Sequence, residues 1–208
     1  VDAVIKAGAL EGAEVKQRGG SLDVSRPGPL ARTGSWTHQY GDGSNSNISR
    51  DSLVKAPLGL LWFGGASNTR LLPRHGHGPR HHVVGGRIVI EGPDILRALD
   101  VYTGRQLWEA ELPGLGKPYD NTAHQPGANA IGSNYVSTSD AIYVLYGKAC
   151  LKLDPETGKV VSRIQFETEG KEKQEGSLHL GFLSISDDLL VLGASPMQFS
   201  TPDLDLYD

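Results

Sequence analysis

Cysteine and methionine are almost missing from this chain, with one of each in 208 residues. A lone Cys150 excludes an internal disulfide and a cysteine-based zinc site, and its apolar setting suits a buried thiol. Long hydrophobic runs are missing as well. No stretch of about 18 apolar residues occurs, so no membrane span is expected. Positive charge is not in excess: 20 basic residues face 24 acidic ones, a net charge of −4 that gives no electrostatic footprint for nucleic acid. Glycine, by contrast, is abundant at 27 residues, and proline adds 12. That balance suits short strands joined by tight turns rather than long helices.

One pattern occurs twice. Leu99, Asp100, Thr103, Gly104 and Arg105 return 54 positions later as Leu153, Asp154, Thr157, Gly158 and Lys159. The apolar run at 87–90 returns at the same offset as 141–144. Each Asp-x-x-Thr-Gly reads as a tight reversal. The aspartate accepts from backbone N–H groups just ahead of it, and the glycine supplies a positive φ without a Cβ clash. Residues 95–99 and 149–153 before the turns, and 106–112 and 160–166 after them, alternate apolar with other residues as half-buried strands do. A third copy begins near Leu178, with 187–192 parallel to 139–144. A β-unit repeated at this period points to blades, arrays or solenoids.

The first copy, with Ala98, Asp100, Thr103, Gly104 and Trp108, resembles the repeat of pyrroloquinoline-quinone-type (PQQ-like) β-propellers, the quinoprotein dehydrogenases and their non-enzymatic relatives. In the second copy Lys152 and Ser162 replace the alanine and the tryptophan. The stretch from Trp36 onward is also similar to uncharacterised bacterial proteins of this kind, of a planctomycete type. The resemblance implies an all-β fold, an incomplete β-propeller of four-stranded antiparallel blades, with Trp108 docked on a neighbouring blade. At about 40–55 residues per blade, residues 36–208 would hold three to four, too few to close a ring. The chain is accordingly read as a piece of a longer protein, with residues 1–35 an N-terminal segment and linker. Residues 1–16 are expected as a short helix or strand remnant, 36–49 as a crossover between blades, and 58–63 as a buried strand. Trp36 and Trp62, like Trp108, are expected as packing anchors.

Chemistry concentrates in two loops. Residues 70–82 carry Arg70, Arg74, His75, His77, Arg80, His81 and His82, and residues 117–129 carry Asp120 and His124. In an extended loop His75 and His77 would project to one side as a metal pair, flanked by glycines. The arginines beside them oppose a cation and suit a carboxylate or phosphate. A basic loop whose histidines bond backbone carbonyls is the structural alternative. Asp120 and His124 would form one pocket with Arg74, His75, His77 and Arg80 if the loops rise on the same face.

Function is therefore expected to be a non-catalytic scaffold for an unidentified protein or small-molecule ligand, without nucleic acid. By resemblance it would be periplasmic or at the cell surface. The alternative is part of a quinoprotein alcohol or sugar dehydrogenase, with PQQ and calcium bound in the full-length protein. No adjacent cysteine pair and no Glu, Asn and Asp ligand set align with that reading.

Overall fold

The computed structural model describes residues 12–65, 70–73, 75, 77–120, 127–165 and 180–194, with isolated positions 3 and 6. It divides into two compact units, residues 1–31 and 32–208. In the first, β1 (Glu14–Arg18) and β2 (Ser21–Ser25) form an antiparallel hairpin that is exposed throughout. The two strands straddle the expected division between helix or strand remnant and linker, because Gly19 with φ 59° makes the reversal between them.

The second unit is built of antiparallel sheets taken in chain order. The strands β3 (His82–Val84), β4 (Arg87–Gly92), β5 (Ile95–Asp100) and β6 (Gln106–Glu111) make one four-stranded sheet. A second comprises β7 (Tyr135–Ser137), β8 (Ile142–Tyr146), β9 (Ala149–Leu153) and β10 (Val160–Gln165). A third begins with β11 (Leu180–Ser186) and β12 (Leu189–Ala194). The repeat reappears as register, since Ile88 pairs with Leu99 and Ile142 pairs with Leu153. A short helical turn, α1 (Ala128–Ile131), precedes the second sheet. Among the described residues no helix is long and apolar enough to cross a membrane.

Both Asp-x-x-Thr-Gly turns close as their chemistry predicts. Asp100 Oδ1 accepts from the N–H groups of Tyr102 (3.0 Å) and Thr103 (2.9 Å) and from the Thr103 hydroxyl (2.9 Å). Asp154 Oδ1 does the same with Glu156, Thr157 and the Thr157 hydroxyl. Gly104 and Gly158 stand at φ 70° and 69°.

The sheets stack face to face, and the core lies between them. Val89, Leu96, Ala98 and Trp108 of the first sheet interleave with Tyr135, Ile142, Val144, Leu151 and Leu153 of the second. Val136, Leu145 and Cys150 of the second meet Leu183 of the third. Cys150 is fully buried, and burial pushes its thiol up to about 11. Trp108 joins consecutive sheets by a defined contact. Its indole N–H donates to Pro155 C=O at 2.9 Å, and its ring lies over Gly158 so closely that a Cβ there would be 2.7 Å from Cδ2. Arg87 adds an ion pair to Glu156 of the same turn.

Trp62 repeats this geometry one sheet earlier. It donates to Val101 C=O at 2.9 Å and covers Gly104, where a Cβ would again be 2.7 Å from Cδ2. Each of these glycines thus serves twice, for its φ and for the ring above it. Valine at Gly158 should lower stability by at least about 2 kcal/mol, combining left-handed strain with displacement of the indole. Urea unfolding of the full-length protein measures this, and an unchanged midpoint would refute the double role.

One expectation about the strands needs correction. Residues 58–63 form no strand and are largely exposed, with Phe63 88 % accessible. Only Trp62 is held, because no strand among the described residues pairs with this segment and its apolar side chains have no sheet to cover. Residues 36–49 do run from sheet to sheet, beginning at β3 and reaching β7 through Thr37 C=O, which accepts from Ser137. Trp36 exchanges backbone hydrogen bonds with Val83 of β3. The charged stretch at 167–175 and the edge at 196–208 lie outside the described residues.

Candidate functional site

The two chemistry-bearing loops do meet, at the end of the sheets opposite the Asp-x-x-Thr-Gly turns. Arg70 anchors the first loop through Glu109 (2.5 Å) and Glu111 (2.7 Å) on β6, and its carbonyl accepts from buried Arg97 at 2.6 Å. Further along, His77 C=O accepts from the Ala128 N–H at 2.9 Å, tying the first loop to α1. Gly78 fits between Leu72 and Tyr119, where a Cβ would stand 2.8 Å from Leu72 Cδ1.

Of the residues singled out in sequence, Arg74 and His124 lie outside the described residues, as does the rest of 121–126. His75 is exposed, and His77 adopts a left-handed turn at φ 51°, so the loop is not extended there and the same-side argument lapses. Asp120 is exposed at the end of the 3-10 turn Lys117–Tyr119. Among the described residues no three His, Cys, Asp or Glu side chains converge on a metal position.

Arg80 is the most strongly organised of the set. Its N–H donates to Gln39 Oε1 at 2.9 Å, and its carbonyl accepts from the Tyr135 hydroxyl at 2.6 Å. The guanidinium lies 4.9 Å from the centre of the Tyr40 ring, whose hydroxyl in turn donates to Asn129 C=O. No carboxylate among the described residues pairs with this guanidinium. It borders an open cavity of about 490 Å³ walled by Trp36, Gly78, Pro79, His81 and Val83. A preset cation beside aromatic and apolar walls recognises an anion or a carboxylate-bearing surface. The same walls offer no carboxylate, so they do not supply the six to eight oxygens a calcium ion takes.

Two buried ionisable groups lie beneath these loops: His82, the last of the loop histidines, and Glu91, which did not stand out in the sequence. His82 packs on Tyr135 with ring centres 4.1 Å apart, its Nδ1 3.3 Å from Ser137 Oγ. Burial, with His38 and His81 nearby, holds it well below the usual histidine range and therefore neutral. Glu91 is fully enclosed beside Asn134 and Gly116, and neither carboxylate oxygen has a hydrogen-bond partner of good geometry. Burial pushes Glu91 up to about 8, partly offset by Asn134. Asn134 Oδ1 is likewise buried without a hydrogen-bond partner.

A quinohemoprotein alcohol dehydrogenase, ADHIIG of Pseudomonas putida HK5, superposes with a TM-score of 0.51 at 16% identity, over 78% of this chain and 23% of that one. The fold is that of a β-propeller. BamB from Moraxella catarrhalis aligns at 21% identity over 39% of this chain and 21% of its own length, but its TM-score of 0.29 carries no argument. No protein-family model and no curated protein matches the sequence. The chain spans less than a quarter of the dehydrogenase, and a likeness this remote concerns the fold alone.

As propeller blades, the sheets acquire an inside and an outside. β3, β7 and β11 are neighbours and lead their blades, whereas β10 is exposed along its whole length. The leading strands therefore face the axis, and residues 36–38 lie along them. Trp36 pairs with Val83 of β3, Thr37 C=O accepts from Ser137 of β7 (3.1 Å), and His38 Nε2 accepts from the Ile185 N–H of β11 (3.0 Å). Three blades are joined by three consecutive residues. Long-range contacts of this kind leave no periodic trace in sequence, which is why the segment read as a polar crossover.

Proposed function

We propose that this chain is part of a PQQ-like β-propeller working as a binding scaffold for a protein or small-molecule ligand, in the periplasm or at the cell surface. The contact surface is the pair of loops at 70–82 and 117–129, with Arg74, His75, His77, Arg80, Asp120 and His124 as its polar groups. One observation carries the reading. Arg80, which lines the cavity, is fixed through its backbone on both sides, while its guanidinium has no carboxylate partner among the described residues. A backbone held on both sides fixes where the side chain is presented, which favours binding.

The likeness to a quinohemoprotein alcohol dehydrogenase motivates the second reading, a PQQ- and calcium-dependent dehydrogenase. One set of measurements on the full-length protein separates the two. Supplied with PQQ and Ca²⁺, it should show no bound-quinone absorbance and no dye reduction with alcohols or aldoses. A photo-crosslinking residue at His81 should capture a discrete partner in cells, and Arg80→Glu should abolish the adduct. Dye reduction would replace the scaffold with the dehydrogenase, and capture unaffected by Arg80→Glu would remove Arg80 from the contact.

A further inference from the structure

We propose that residues 36–43 form an axial strap latched to the third blade by a neutral His38, and that acidification releases this latch. The strap's two bonds to Val83 and its one bond to Ser137 join backbone to backbone and do not respond to pH. The bond to the third blade ends instead on the lone pair of a ring nitrogen, His38 Nε2. An accepting Nε2 fixes the neutral tautomer with its hydrogen on Nδ1. That atom lies 2.6 Å from Thr37 Oγ1, and the Thr37 hydroxyl donates onward to Gly41 C=O at 3.3 Å. The tautomer is thus set from both sides of the ring.

The strap is shaped to sit flush. Asp42 gathers the Ser44 and Ser46 N–H groups and the Ser46 hydroxyl into a tight turn. Gly43 then lies so near the third blade that a Cβ would stand 2.8 Å from Ile185 C=O. Protonation at Nε2 would place an N–H against the Ile185 N–H, two donors face to face, and the bond is lost. The Ile185 backbone and Asp42 on the strap favour the charged ring, and His82 on β3, itself beside His81, stays neutral and adds no charge. β7 and β11 present Ser137 and the Ile185 backbone, neither of which titrates. Desolvation dominates and keeps His38 below its ordinary value, so the latch is closed at neutral pH.

Release leaves β11 attached to the second blade through the Leu183 N–H, which donates to Ser133 C=O at 2.8 Å. It opens the small cavity of about 140 Å³ enclosed by His38, Gly43, Ser133 and Phe182. Amide hydrogen exchange on the full-length protein, corrected for intrinsic rates, tests this between about pH 7 and about pH 4.5. Protection at Ile185 should fall by about tenfold or more on acidification, while Leu183 and Leu151 keep theirs. His38→Gln puts a non-titrating acceptor near the same place and should make Ile185 protection independent of pH. Level protection at Ile185 in the natural protein overturns the latch, and so does an equal loss in His38→Gln.

Discussion

Glu91→Gln should make the protein more stable at about pH 8, by about 4 kcal/mol, and leave it nearly unchanged near pH 4.5. The sign follows from proton counting. Folding moves the Glu91 value from 4.5 to about 8, so between those limits the folded state holds a proton that the unfolded state has lost. Stability of the natural protein therefore falls as pH rises through this window and levels off above it. Glutamine is neutral throughout, so the variant lacks this fall. Urea unfolding at several pH values measures the difference. Equal slopes for both proteins would mean that Glu91 is not enclosed as described.

Trp108→Ala should cost about 3–5 kcal/mol, the range for truncating a large buried ring. Trp108 is only 8 % accessible, packs among Leu153, Ile142 and Leu96, and holds Pro155 by its indole N–H. Trp108→Phe keeps most of the apolar contact and removes the donor, with an expected loss of about 1 kcal/mol. The gap between the two variants separates packing from hydrogen bonding, and unfolding of the full-length protein by urea reads both. A loss below about 1 kcal/mol for alanine would put the ring at the surface and remove the joint between blades.

The joint itself was legible in the sequence. Asp100, Thr103, Gly104 and Trp108 follow one another at short range, so the turn and the strands around it are written locally. The docking of Trp108 came from family resemblance, and the contact with Gly158 bears it out. Glu91 was not legible, because a charged residue at a strand end normally faces water. Its burial arises only when Gly116 and Tyr119 fold over it from another loop. His38 was hidden more deeply still, since its partner Ile185 is 147 positions away. Residues 58–63 misled in the other direction: an apolar run at strand length suggests a buried strand, but burial needs a neighbour that the local sequence does not contain. At the candidate site Arg80 was already among the residues the first loop offered, but Gln39 and Tyr135, which hold its backbone from different elements, leave no local trace in sequence.

The two indole contacts also give the array a polarity. Trp62 and Trp108 both reach forward, each into the glycine notch of the following turn. In an array governed by nearest-neighbour terms, such coupling makes unfolding asymmetric. Opening one blade withdraws the cover from the blade ahead and strands the ring of the blade behind, so a local defect is felt in both directions by different means. Fraying would begin wherever a notch lies uncovered.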